Sequence, residues 1–326
     1  MRKRTVNRKE PGGAVRAADL GRLRRHQAAR RHTRVDLTHF AKPPQRTDTA
    51  AAFIRKLPGV LKAADWQELI TAIARARRLK KPVFWLCGAH VIKCGLSPVI
   101  LDLMRLGLVD LLAFNGAGAI HDLEIAFDGC TSEDVAAGLR DGSFGMARDT
   151  AERFAAGVAI AKREGIGLGD GLGRFLNTGR VPYRRHSLLA QGVRAGIPVL
   201  VFPAIGAEIV AQHPEYDGAA VGAAGHLDFR ILADQCRRLN GGGVVLHFGS
   251  AVILPEVFLK ALSVARNQRR VERLVTANFD MIQHYRPNTN IVARPTAGGG
   301  KGFSFTGHHE LLLPLLAWSI KGRLRL

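Results

Sequence analysis

At 326 residues with 47% hydrophobic content, the chain is long enough to bury a large core and too apolar for a disordered protein. No apolar run approaches the roughly 20 residues of a membrane-spanning helix. The formal net charge of +21 is uneven: residues 1–46 hold fourteen Lys or Arg against Glu10, Asp19 and Asp36, a net +11.

In chain order, residues 1–48 read as a basic, mobile N-terminal arm and residues 49–326 as one α/β domain. The arm's charge suits RNA or an acidic protein bound through residues 1–46 by counterion release. Its single aromatic, Phe40, gives base stacking little to work with. A solvated tail is the simpler reading. The arm lacks the apolar segment of a secretory signal, while a transit peptide shares its arginine-rich, acid-poor composition.

An amphipathic pattern begins at Ala50. Asp65-Trp66-Gln67-Glu68 reads as a capping box, with Leu69, Ile70 and Ile73 on one face beyond it. A strand is expected over 82–87, a helix from Ser97-Pro98 to Gly107, and a strand over 109–114 that runs into the bend Gly116-Ala117-Gly118. Residues 131–134 open another helix, and a longer one covers roughly 146–163. Residues 165–173, with five glycines, read as a flexible loop or lid. Helices near 187–194, 227–239 and 255–265 then alternate with strands over 198–202, 244–248 and 273–277, before a last helix from His309. The strands are near-continuously apolar. That pattern predicts a doubly wound, mostly parallel, Rossmann-like sheet covered on both faces. Cys87, Cys94, Cys130 and Cys236 lack zinc-ligand spacing and are too few for a disulfide scaffold, so a reduced, cytoplasmic protein without bound metal is expected.

Ligands of open α/β sheets bind beyond the carboxyl ends of the strands. That rule gathers His90 and Lys93, then Asn115, His121 and Asp122, then Glu208, His247, Asn278 and Asp280. Small residues in the bend at Gly116 let a ligand approach the backbone, and the amides of the following helix start favour phosphates. Two further glycine turns precede His247 and Lys301, at Gly241-Gly242-Gly243 and Gly298-Gly299-Gly300. A lysine between glycines, tucked into a crevice, would be desolvated as an imine-forming lysine needs; on the surface it is a solvated loop residue. His247 reads either as a proton shuttle or as a satisfied core histidine. His308-His309-Glu310 resembles half a metal site, but adjacent helix-start histidines do not face one another.

Taken in sequence, these landmarks resemble the deoxyhypusine synthase family over roughly residues 80–320. The residues that carry the resemblance are Cys94-Gly95-Leu96, Leu108-Val109-Asp110-Leu111-Leu112 with the glycine bend, the triple glycine strand ending in His247, Thr276-Ala277, Arg294-Pro295, Lys301 and Leu313-Pro314-Leu315-Leu316. The resemblance implies a deoxyhypusine synthase-like NAD-binding fold, a homotetramer with sites at subunit interfaces, and a polyamine substrate. In that chemistry NAD takes and returns a hydride while an enzyme lysine carries the aminoalkyl group as an imine. Carried over, Lys301 would be that lysine and His247 an acid/base. His90, Asn115, Gly116, Gly118, Thr276, Ala277 and His308 would lie along NAD. His121, Asp122, Glu208 and Asp280 would hold the amine.

The chain also departs from the family. Ile120-His121 stand where an acidic pair is expected, and Glu208 is the nearest substitute for an aspartate that grips the polyamine. Leu246 and Phe248 flank His247 in place of polar residues, Gly299 replaces a tryptophan, and His308 replaces an aspartate. Each lost carboxylate removes charged hydrogen bonds worth about 1.5–3 kcal/mol. The expectation is therefore an NAD-dependent aminoalkyl transferase for a di- or polyamine other than spermidine. Deoxyhypusine synthesis on a translation factor, and a non-catalytic nucleotide-binding scaffold with a nucleic-acid-binding arm, are the alternatives.

Overall fold

The computed structural model describes residues 17–326 and the backbone of Lys9–Glu10 and Gly13–Ala14, which pair antiparallel. The rest of the basic arm lies outside the described residues. The chain divides into two units between Phe40 and Ala41. In the first, the single turns Leu20–Arg22, Ala28–Arg30 and Leu37–His39 bury no side chain. Residues 41–48 fall in the second unit, where the Asp48 carboxylate accepts from Lys56 Nζ at 2.7 Å.

That unit is built on six parallel strands: β1 Val83–Cys87, β2 Leu111–Asn115, β3 Val199–Phe202, β4 Val244–Phe248, β5 Val275–Asp280 and β6 Lys301–Thr306. They lie in the order β3-β2-β1-β4-β5-β6. The order reverses between β1 and β4, as in doubly wound dinucleotide-binding sheets. Alternate residues of each strand enter opposite cores. Trp85, Phe114, Val201, Leu246 and Phe248 face one, while Phe84, Leu86, Ala113, Leu200 and Val245 face the other. Burial on both faces is why these strands read as unbroken apolar runs. Each large side chain so buried contributes roughly 1.5–3 kcal/mol.

An aromatic row floors the carboxyl edge. Trp85 stacks on Phe248 at 5.3 Å, Phe248 on Phe279 at 4.7 Å, and Phe279 on Phe305 at 5.0 Å. Trp66 meets Phe279 and Phe305 edge-on and donates its indole N–H to Ser319 Oγ at 3.1 Å.

Several expected elements differ. The segment 165–173 is not a lid: it enters the buried helix Leu168–Asn177. Its glycines are there for contact. A Cβ on Gly169 would lie 2.2 Å from the Val199 carbonyl oxygen, and one on Gly171 would lie 2.6 Å from Ala161 Cβ. Asp65 does not cap a helix, because Leu61–Arg78 is already helical there and Asp65 pairs with Lys62 at 2.9 Å. Strand β5 starts two residues late and runs to Asp280, so Asn278 and Asp280 belong to the strand. Lys301 opens a sixth strand rather than sitting in a loop.

Candidate active site

At the reversal between β1 and β4 the two chains leave the sheet through Gly88 and Gly249. A Cβ on Gly88 would lie 2.1 Å from the Gly249 carbonyl oxygen, so glycine is required for the two turns to touch. Gly249 has φ +58°, and a Cβ there would stand 2.9 Å from His309 Nε2. These turns give His309, the first residue of the helix His309–Leu324, its place under the edge.

The protonation of the histidines follows from their partners. His247 Nδ1 is 2.6 Å from Asn278 Oδ1, Asn278 Nδ2 donates to Gln283 Oε1 at 2.7 Å, and Gln283 Nε2 donates to the Phe305 carbonyl at 3.0 Å. A main-chain carbonyl can only accept. It therefore orients both amides, and His247 must carry its proton on Nδ1. Its Nε2 is left a buried lone pair with no hydrogen-bond partner among the described residues. Burial lowers the His247 pKa to about 4, so the ring is neutral near pH 7. His309 repeats the arrangement, donating Nε2–H to the Phe279 carbonyl at 3.2 Å and leaving Nδ1 without a partner among the described residues. Burial holds its pKa below the ordinary value too. The His90 ring stands 5.7 Å from that of His309. Asp280, almost buried at the end of β5, accepts from Met281 N–H at 2.8 Å, and its charge acts on both His247 and His309.

On the same edge, beyond β2 and β3, lies a cavity of about 220 Å³ walled by Ile120, Val135, Phe144 and Ile209. Its ionisable lining is Glu124, Glu133, Glu208, His121 and Lys93, an acid-rich set. Thr131 Oγ1 donates to Glu124, so it accepts from His121 Nδ1 at 2.5 Å, which leaves His121 Nε2 as the ring's free nitrogen. Burial opposes ionisation of Glu124, but the hydrogen bonds from His121 and Thr131 prevail and lower its pKa. Burial raises the pKa of Glu208, against the main-chain bond that Oε1 accepts from Ala204 N–H at 2.6 Å.

The glycine bend sits beside this cavity. Asn115 Oδ1 caps the helix Gly116–Asp128 by accepting from Gly118 N–H at 3.0 Å, leaving the Gly116 and Ala117 amides without acceptors in the helix. A Cβ on Gly116 would lie 2.2 Å from Glu208 Oε1, so the space beside the bend is filled by the chain's own carboxylate. In doubly wound dinucleotide-binding sheets the first βα turn carries the phosphate-binding glycines, and the turn at that position here is the one after β1, at Gly88.

The remaining sequence-predicted residues lie elsewhere. Asp122 is fully buried and accepts from Ser187 Oγ at 2.5 Å and from the Leu188 and Leu189 amides at 2.7 and 3.1 Å. It caps the helix Leu188–Arg194 and has no face toward the cavity; burial raises its pKa to about 6. Thr276 and Ala277 are fully buried near the amino end of β5, and Thr276 Oγ1 has no hydrogen-bond partner among the described residues. His308 is exposed and 3.7 Å from Glu310. Lys301 is half exposed, pairs with Glu68, and lies 5.4 Å from the Phe303 ring. It is in register with Val275, whereas His247 is in register with Asn278. Three residues along and two strands across place them roughly 14 Å apart within one chain, on opposite edges of the sheet. His309 was missed as a site residue; its signal in the sequence was the paired histidines, of which the buried one is the second.

No family model and no curated protein matches the sequence. Among solved structures the fold is similar to that of a protein assigned as a deoxyhypusine synthase from Entamoeba histolytica, with TM-score 0.50 and 10% identity over 84% of this chain and 93% of that one. At that identity the likeness is one of fold. Weaker similarity extends to an LOR/SDH protein from Methanococcus maripaludis, with TM-score 0.47 and 15% identity over 87% of this chain and 74% of that one. It also extends to ArgZ, an arginine dihydrolase of cyanobacteria, with TM-score 0.48 and 16% identity over 80% of this chain; the chain spans about a third (32%) of ArgZ.

Proposed function

We propose that the chain is an NAD-dependent enzyme acting on an amine at the carboxyl edge of its sheet. One observation carries this reading: the strand order reverses between β1 and β4 where Gly88 and Gly249 meet, with buried acceptor nitrogens of His247 and His309 beneath. That edge suits a dinucleotide, since the strand order reverses there and the orphaned lone pairs await a donor group. NAD would supply a hydride acceptor there. The chain's own residues do the rest. Glu124, Glu133 and Glu208 attract a cationic amine into the 220 Å³ cavity. Glu208, with its proton affinity raised by burial, takes the ammonium proton, and the apolar walls exclude water. His247 and His309, neutral and held in fixed tautomers, accept hydrogen bonds at the reversal.

The finer form of the proposal is aminoalkyl transfer through an imine on Lys301. It requires Lys301 from a neighbouring copy in a homotetramer, because the chain's own Lys301 lies on the other edge. The test is incubation with NAD and a panel of di- and polyamines, a borohydride quench and peptide mapping. An aminoalkyl mass on Lys301 supports the transferase. Reduced cofactor, read by absorbance before the quench, without an adduct supports amine oxidation alone, and neither product in folded protein overturns both.

A further inference from the structure

A cleft of about 570 Å³ opens on the amino edge of the sheet, against the helix Leu61–Arg78 and the turns that precede β4, β5 and β6. Its charged lining is Arg75, Arg273, Lys301 and Glu68. Glu68 is engaged by Lys301. Glu272, which feels the charge of Arg273, is held by Arg270 at 2.7 Å. Neither Arg75 nor Arg273 has a carboxylate within ion-pair distance among the described residues.

The backbone adds donors. Gly241 N–H donates to the Glu272 carbonyl at 2.9 Å and Gly300 N–H to Thr296 at 2.9 Å, but the amides of Gly242 and Gly299 have no acceptor among the described residues. Gly242 has φ +117° and Gly299 φ +83°. A Cβ on Gly242 would meet nothing within 4 Å, so glycine serves the backbone conformation there and leaves an uncovered amide. Two guanidinium groups unpaired among the described residues and bare amides, beside an ammonium shared with Glu68, offer donors and positive charge in excess around one hollow, the chemistry of oxyanion recognition.

We propose that this amino-edge cleft binds a phosphorylated small molecule, with its phosphate between Arg75, Arg273 and the glycine turns and Lys301 at the rim. The cleft is larger than a phosphate, so the ligand carries a further group. The inference stands apart from the carboxyl-edge reading. The two separate by readout, because anion binding is titrated in the absence of NAD and amine.

The test is calorimetric titration of the full chain with pyrophosphate and with AMP at fixed ionic strength. The expected result is one saturable site whose affinity falls about tenfold or more in Arg75→Gln and in Arg273→Gln. Both arginines are exposed, and an unchanged melting temperature verifies that the variants fold. Equal affinity in wild type and both glutamine variants, or no saturable binding, overturns the proposal.

Discussion

Asp228 sits on the helix Gly218–Cys236, fully buried, and one carboxylate oxygen accepts from the amides of Gly169 at 2.9 Å and Val201 at 2.8 Å. It ties the glycine helix to β3, while its other oxygen has no partner among the described residues. Burial raises its pKa from 3.8 to about 7. Between those values the folded protein keeps a proton that the unfolded chain has lost, so this group's contribution to stability falls as pH rises through the window. The slope is about 1.4 kcal/mol per pH unit, or about 4 kcal/mol by pH 7. Asp228→Asn keeps a carbonyl acceptor for both amides and cannot ionise. Relative to wild type it should gain about 2 kcal/mol between pH 5 and pH 7, roughly 4 °C of melting temperature in a chain this long. Comparing variant with wild type at each pH cancels the opposite contribution of His247. Melting curves of both proteins over that range are the assay. A stability difference that stays flat with pH would refute the argument that burial holds Asp228 protonated.

His247 works in the other direction: with its pKa lowered to about 4, its contribution is present above the ordinary 6.5 and lost as pH falls through the folded value. His247→Gln should flatten the acid limb of the melting profile. Asn278→Leu breaks the amide chain and strands the His247 Nδ1 proton, which should cost about 1–3 kcal/mol by denaturant titration. Gly88→Ala drives a methyl into the Gly249 backbone and should lower stability by at least about 2 kcal/mol in the same assay. Glu208→Gln removes a charge from the acidic cavity and should lower kcat/KM for an amine about tenfold or more, with the melting temperature little changed.

The fold class was legible because short unbroken apolar runs such as Val83–Cys87 and Val199–Phe202, alternating with helical patterns, read as strands buried on both faces. The helix Leu168–Asn177 was not, since glycine marks both flexible loops and close helix contacts, and only the neighbours at Val199 and Ala161 decide between them. Strand β6 escaped because Lys301–Thr306 alternates polar and apolar residues behind a glycine turn, the pattern of an edge strand. Of the site, the carboxyl-end rule brought out His90, His121, Glu208, His247 and Asp280. It could not show that Asp122 turns inward as a helix cap, that His309 rather than His308 enters the cluster, or that Lys301 opens its strand at the amino edge. Those are matters of side-chain direction, which spacing alone does not encode.

The central claim is tested most directly by following reduced cofactor when folded protein receives NAD and each of a series of di- and polyamines. Amine-dependent reduction that is saturable and greatly diminished in Glu208→Gln is the predicted result. No reduction with any amine, in protein that melts cooperatively, would contradict the placement of amine oxidation at the carboxyl edge.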